Sequence, residues 1–353
     1  MGATEAARAR EPQHRRSLVK ILVTGGSGFL GRAICRRLTR QGHAVRSLSR
    51  GHSTELTGLG VEQHRGDLRD PAAVATAVDG CSAVIHTGAK AGIWGTRSEF
   101  YDINVRGTQH VVSACRDHGV GLLVHTSSAS VVFDGTDLTG ADETTPYPER
   151  YLAGYPWSKA LAEQVVLAAT GPHLATTVLR PHLIWGSGDP HFLPRLLRAA
   201  RRPLPLIGDG DNRIDTIHVD NAAEAHLLAL DRLTERTTTT GRIYFISQDQ
   251  PVALRDMIGR LTAAAGVPAT FRRLPRRSAY IAGGLMEWLW KCAPGAQGPP
   301  LTRFLVAELA TSHWFDIGAA KADLAFAPTI DIPTGLALLE QHLRSTGAFR
   351  PAT

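Results

Sequence analysis

Lys20-Ile21-Leu22-Val23-Thr24-Gly25-Gly26-Ser27-Gly28-Phe29-Leu30-Gly31 is the stretch on which the reading of this 353-residue chain turns. An apolar run ends in Thr24, the glycines follow, and a helical pattern continues through Ala33, Ile34, Cys35 and Leu38. A short buried strand, a glycine turn and a helix start suit a dinucleotide pyrophosphate. Glycines let the backbone come close to the phosphates, and the helix start offers free N–H groups and the positive end of its dipole. The spacing is G-x-x-G-x-x-G, not the G-x-G-x-x-G of the common dinucleotide fingerprint.

Outward from that turn, strands and helices alternate. Strands are predicted at about 19–24, 44–49, 61–64, 83–86, 122–126 and 176–179. Helices are predicted to about residue 41, then over 71–78, 98–118 and 155–169. That rhythm predicts an α/β fold: a Rossmann-type, doubly wound parallel sheet. It breaks after Arg180. Residues 181–215 are rich in Pro, Gly and Arg; 216–246 return to strand, helix and strand; short helices dominate from 247. The expected division is a disordered basic tail over 1–17 and a dinucleotide-binding domain over 18–180 plus about 216–246. A smaller, mostly helical C-terminal substrate lobe would take about 181–215 plus 247–350.

The formal charge is +7, of which +3 sits in the first twenty residues, where Arg8, Arg10, Arg15, Arg16 and Lys20 outnumber Glu5 and Glu11. The remainder is mild and makes no case for nucleic acid. Two further clusters, Arg195-Arg198-Arg201-Arg202 and Arg272-Arg273-Arg276-Arg277, read either as solvated faces or as sites for an anionic ligand or membrane surface. Cys35, Cys81, Cys115 and Cys292 form no C-x-x-C pair, so the sequence suggests neither a zinc ribbon nor a disulfide framework. Buried thiols in a reducing cytoplasm are the simplest account. No run reaches the length of a membrane span. Ala279 to Trp290, AYIAGGLMEWLW, is too short to cross but suits an interface.

A carboxylate for the ribose 2′-hydroxyl of NAD belongs about 20 residues beyond the turn. Ser49-Arg50 stands there instead. A guanidinium accepts the 2′-phosphate that an acid would repel, so the cofactor is expected to be NADP(H), held in part by Arg50 with Arg32 assisting. Alternatively, Arg50 is a solvated loop residue. Asp67 is placed to accept from the adenine amino group, or else to cap the helix that starts at Pro71.

Downstream, Ser127-Ser128-Ala129-Ser130 ends the fifth strand, and Tyr155-Pro156-Trp157-Ser158-Lys159 opens a helix. Tyr and Lys at i and i+4 share one face. Hydride arriving at a ketone carbon leaves charge on its oxygen, and something must donate a proton there. A free phenol, with a pKa near 10, is poorly matched to neutral pH, and a nearby ammonium would lower it. A serine hydroxyl would orient the carbonyl and stabilise the oxyanion.

In that order, these motifs resemble the extended branch of the short-chain dehydrogenase/reductase superfamily over about residues 18–345. The branch's turn is T-G-x-x-G-x-x-G, as Thr24 to Gly31 spells. Thr87-Gly88-Ala89, Asn104-Val105-Arg106-Gly107-Thr108 and Leu179-Arg180-Pro181 fit it too. The resemblance implies Ser128 as the catalytic hydroxyl, Tyr155 as acid/base and Lys159 as its partner, which also binds the nicotinamide ribose. It implies a cofactor held by Gly25, Ser27, Gly28, Phe29, Leu30, Gly31, Arg50, Asp67, Leu68, Thr87, Gly88, Ala89, Asn104, Tyr155, Lys159, Pro181, Leu183 and Ile184, with no metal. Ser127 and Ser130 are rivals to Ser128; the family's S-S-x-S-V pattern favours Ser128.

Within the branch, His125-Thr126-Ser127-Ser128, Arg180 to Asp189, and His218-Val219-Asp220-Asn221 resemble the 3β-hydroxysteroid dehydrogenase group. Gly88 to Gly95, Pro299 to Val306 and His313-Trp314-Phe315 are more closely similar to bacterial 2-alkyl-3-oxoalkanoate reductases of long-chain olefin biosynthesis. The resemblance implies NADPH-dependent reduction of a long-chain β-ketoacid, with a sterol dehydrogenase as the alternative. A cytoplasmic homodimer is expected, with pathway enzymes or a membrane surface as candidate partners.

Other residues invite weaker readings. His218, Asp220, Glu224 and His226 have metal-ligating side chains, but the family binds no metal. Trp94, Trp185, Phe304 and Trp314 suit an alkyl cavity or plain core packing. Arg213 and Arg303 are candidates for a substrate carboxylate, or for surface salt bridges.

Overall fold

A computed structural model describes residues 19–208, 210–235, 239–292 and 298–348. The tail assigned to 1–17 lies outside them. Strand β1 (Lys20–Thr24) buries all but its first residue. Helix α1 (Phe29–Arg40) turns Leu30, Ala33, Ile34, Cys35 and Leu38 inward, while its arginines stand outside, the stripe expected of a surface helix. Then come β2 (Ala44–Ser49), α2 (Thr54–Gly58), β3 (Glu62–Arg65), α3 (Pro71–Val78) and β4 (Ala83–His86). Asp70, not Asp67, caps α3, accepting from the Ala72 and Ala73 amides.

The helix predicted over 98–118 is one rod with a wide turn inside it. It runs as α4 (Arg97–Phe100), a π-helical segment (Tyr101–Arg106) and α5 (Gly107–Asp117). Such bulges cluster at functional sites. Here the bulge holds Asn104, whose amide accepts from the Lys90 backbone (2.6 Å) and donates to Ser158 Oγ (2.9 Å). β5 (Leu122–Thr126), β6 (Leu138–Ala141), α6 (Gly154–Ala169), β7 (Ala175–Pro181) and β8 (Ile184–Trp185) follow. Next are α7 (Phe192–Ala199), β9 (Leu204–Ile207), β10 (Arg213–Ile214), β11 (Ile217–His218), α8 (Val219–Thr234) and β12 (Arg242–Ile246). The chain continues through β13 (Val252–Ala253), α9 (Leu254–Ala264), β14 (Phe271–Leu274), α10 (Arg276–Cys292), α11 (Arg303–Ala310), β15 (His313–Phe315), α12 (Gly318–Leu324) and α13 (Ile332–Ser345).

Seven parallel strands form the main sheet in the order β12-β7-β5-β4-β1-β2-β3. β1 pairs with both β2 and β4, so the strand order reverses there and a crevice opens at the carboxyl ends, where such sheets take ligands. α7, α9 and α13 share a second core built on Trp185, Leu193, Leu196, Leu254, Met257 and Leu339.

The lobe is mostly helical, as predicted. Its helices are joined by short strands, three of which (β13, β10 and β15) form a four-stranded sheet with β6 of the first domain, in the order β13-β10-β15-β6. Strands of two to four residues are too short to show an alternation. Phe315, Ile317, Ala320, Leu324 and Phe326, from the stretch assigned to the lobe, pack instead into the main core with Tyr244 and Phe245 of β12. Phe315 stacks on Phe245 at 4.5 Å between ring centroids.

Candidate active site

The crevice is a groove of about 840 Å³ running from the β1 turn to the ends of β2 and β3. Gly25, Ser27, Gly28, Phe29, Leu30, Gly31, Arg50, Asp67, Leu68, Thr87, Gly88 and Ala89 all line it. Its shape depends on two close approaches. Gly25 sits at φ +70°, and a Cβ there would lie 2.8 Å from Gly88 Cα; one on Gly31 would lie 2.2 Å from the Gly25 carbonyl oxygen. Only glycine lets β1, β4 and α1 meet so closely, which leaves the backbone itself facing the groove. That cradle fits a pyrophosphate.

At the far end of the groove, Ser49 Oγ accepts from the Ser27 amide at 3.0 Å, and Arg50 follows it. The Asp67 carboxylate is held by Arg69, which donates from its backbone (2.9 Å) and from its guanidinium (3.0 and 2.8 Å). Arg69 holds the Asp67 carboxyl below its ordinary pKa, and Arg50 adds to that. Arg69 lines the groove as well, a cation that sequence reasoning missed because nothing marks it within R-G-D-L-R-D. Arg32 does not assist here: it reaches the Gly188 carbonyl at 3.2 Å and Glu55 at 3.8 Å.

Beyond the groove lie the reactive groups. Ser128, in extended backbone just past β5, acts on the Tyr155 phenol to hold its pKa down, and its Oγ lies 2.9 Å from Ser130 Oγ. Of the three serines, Ser128 is the one that acts on the phenol's pKa, and Ser130 is its hydrogen-bond partner. Lys159, one helical turn after Tyr155, is buried and donates to the Thr126 carbonyl at 2.5 Å. Burial lowers its pKa to about 8. Burial raises that of Tyr155, Ser128 opposes the rise, and the nearby charge of Glu308 adds to it. The downward influence on the phenol is thus the serine's. Pro181 ends the neighbouring strand β7, Leu183 follows it, strained at φ +41°, and Ile184 opens β8; none of the three lines the groove.

Behind this set is a buried ion pair. Arg180 donates to Glu163 at 2.5 and 3.1 Å, and Tyr147 donates to the same carboxylate at 2.6 Å. Glu163 lies one turn beyond Lys159 on α6 and raises its pKa, favouring the ammonium against burial.

The remaining candidates do not converge. His226 bridges the Ala222 carbonyl and Thr126 Oγ1, Glu224 pairs with Arg37, and His218 caps the Asp220 amide. Among the described residues no group of metal-ligating side chains forms. Arg303 is taken by Glu287 at 2.8 Å and Arg213 by the Pro251 carbonyl at 2.5 Å. Trp185 is core, donating to Thr216 Oγ1. Phe304 packs on Phe133 in a buried apolar wall with Ala307, Ile93 and Ala153.

Glu308, on α11 beside that wall, was also missed; the only signal was an acid set among apolar residues in FLVAELA. Burial raises its carboxyl to about pKa 7. The folded chain therefore holds this proton more tightly than the unfolded one. The group costs stability as pH climbs from the ordinary carboxyl range through about 7. Once ionised, it keeps the Tyr155 phenol protonated. Glu308→Gln removes that push, and the alkaline limb of the kcat/KM profile for ketone reduction, which needs the protonated phenol, is expected to move to lower pH. An unmoved limb would uncouple the two groups.

Residues 22–276 match the model of the 3-beta hydroxysteroid dehydrogenase/isomerase family. The chain belongs to that family. It is an oxidoreductase of the extended short-chain type, a class that works with a nicotinamide dinucleotide. A 2-alkyl-3-oxoalkanoate reductase of Stenotrophomonas maltophilia (strain K279a) is 47% identical over 326 residues, covering 91% of this chain and 98% of that protein. A decarboxylating sterol-4-alpha-carboxylate 3-dehydrogenase of Mus musculus is 31% identical, covering 92% of each chain. The crystal structure of gox2253 superposes with a TM-score of 0.76 at 27% identity, covering 94% of this chain and 99% of that one.

Proposed function

We propose that this family member uses NADPH to reduce the 3-oxo group of a 2-alkyl-3-oxoalkanoate, a long-chain β-ketoacid, to the 3-hydroxyl, as a step of olefin biosynthesis. The observation that carries the chemistry is the grouping of Ser128, Tyr155 and the buried Lys159, which donates to Thr126 at the end of β5, beside the glycine groove. The substrate class is supported by the relative at 47% identity. NADPH, when bound, supplies the hydride to the ketone carbon. Tyr155 gives its proton to the oxygen as charge develops there, and Ser128 holds that oxygen and the phenol in register. Lys159, a cation below about pH 8, fixes the end of β5 through Thr126 and offers its remaining donors to the ribose. The wall of Phe133, Phe304 and Ala307 takes the alkyl chains.

The choice of NADPH is supported by Arg50, with no acid at the end of β2 and Asp67 neutralised by Arg69. Arg50→Ala is expected to raise KM for NADPH by roughly 10- to 100-fold, the worth of one charge-assisted hydrogen bond, and to leave NADH kinetics nearly unchanged. Initial rates with each cofactor, using synthetic 2-alkyl-3-oxo acids of varied chain length and a 3β-hydroxysterol in parallel, test both claims. Equal use of NADH would remove the role given to Arg50. Turnover of the sterol alone would favour the chemistry named for the mouse relative.

A further inference from the structure

Helix α10 is seated by a narrow stripe and left bare elsewhere. Only Ala279, Gly283 and Glu287, spaced i, i+4, i+8, are buried. A Cβ on Gly283 would lie 2.9 Å from the Thr302 carbonyl carbon, and the Glu287 carboxylate accepts from the Arg303 amide (2.7 Å) and Nε (2.8 Å). These contacts fix the rotation of the helix. They turn Ile281 (72% exposed), Leu285 (56%), Trp288 (60%) and Leu289 (44%) outward, at the spacing of one helix face. Five of the eight exposed large apolar side chains among the described residues lie on this one helix, counting Tyr280. A concentration of that kind marks an interaction surface rather than scattered exposure.

The exposed charge on the helix and on the strand leading into it has one sign, with Asp134 facing it across the neighbouring groove. Arg272, Arg273, Arg276 and Arg277 are exposed at its N-terminal end and Lys291 at its C-terminal end, while the helix's one acid is buried under Arg303. Apolar bulk with an indole and a phenol, flanked by cations, is the composition of a helix that lies in a lipid headgroup layer. At 17 residues it spans about 25 Å. No described helix is long and apolar enough to cross a bilayer. A groove of about 570 Å³ opens beside it, between Arg276, Arg277, Tyr280 and Ile281 on one side and Asp134, Gly135 and Leu152 on the other. Ala307 also lines that groove, next to Glu308, whose charge acts on Tyr155.

We propose that α10 docks this protein on the surface of an anionic lipid bilayer, with the adjoining groove as the path from the lipid toward Tyr155. The path rests on the long-chain substrate reading; the docking does not.

Flotation of the full chain with vesicles of phosphatidylcholine containing phosphatidylglycerol, against phosphatidylcholine alone, reads docking without any turnover. Failure there would leave the reductase reading standing. Cys292, the last residue of α10, is exposed while the other three cysteines are buried, so a thiol-reactive, environment-sensitive dye reports on this helix. The protein is expected to float with the anionic vesicles and the dye to shift to the blue. Arg276→Gln with Arg277→Gln should weaken binding about thirtyfold, at roughly 1 kcal/mol per cation near the surface. Leu285→Glu with Trp288→Glu should lower it at least about tenfold, while reduction of a short, water-soluble ketone stays at the parental rate and shows that the fold is intact. Absence of flotation would overturn the proposal, as would flotation indifferent to both pairs of changes. If the second pair instead converts a dimer to a monomer without changing flotation, the face belongs to a second copy.

Discussion

Tyr155→Phe is expected to lower kcat for ketone reduction by about 10²- to 10⁴-fold, the usual contribution of a positioned general acid. The change removes one oxygen. The ring keeps its edge contact with Phe100, at 6.5 Å between centroids, so the start of α6 has no reason to move. Binding of NADPH, followed by its fluorescence, should change far less than turnover, because the glycine cradle is untouched. Ser128→Ala should act in the same direction, since Ser128 is the group that opposes the rise of the phenol's pKa. If the Tyr155→Phe variant kept a tenth of parental kcat, another group would have to supply the proton.

Glu163→Ala carries the largest expected loss of stability. Arg180 is 2% exposed and Glu163 fully buried, so the substitution strands a guanidinium in the core with Phe245 at 5.1 Å. Leaving one partner of a buried pair uncompensated costs about 3–5 kcal/mol. The Tyr147 phenol loses its acceptor as well. Removing both charges at once, with Glu163→Leu and Arg180→Met, should cost less than removing the carboxylate alone, because no unpaired ion remains. Urea unfolding followed by circular dichroism checks the order of the variants. Equal midpoints for the parent and the alanine variant would mean that water reaches the pair. Activity should fall too, because Glu163 supports the Lys159 ammonium from one turn away.

The parallel sheet was legible because its strands are short apolar runs with turn residues at their ends. β1, β2, β4 and β5 fall within a residue of where the pattern puts them. The groove lining was legible for the same reason: its residues sit in the turns that close those strands. Contacts made at long range were not. Thr126 as the acceptor for Lys159, and Glu308 as a charge near Tyr155, join residues 33 and 153 positions apart, and no local pattern encodes either. The π-helical turn at 101–106 was hidden because its cause, the grip of Lys90 and Ser158 on Asn104, is tertiary. The return of Phe315 to Phe326 to the β12 edge was hidden too, since an apolar segment does not say which of two cores it joins.

The proposed function stands on hydride transfer to the third carbon of a 2-alkyl-3-oxo acid. Incubating the purified chain with NADPH deuterated at the transferring position, and recovering the product for mass spectrometry, tests it directly. The expected product is a 2-alkyl-3-hydroxy acid carrying one deuterium at C3, with none formed by the Tyr155→Phe variant over the same interval. Unreduced acid, alongside a 3β-hydroxysterol oxidised by the same preparation, would contradict it.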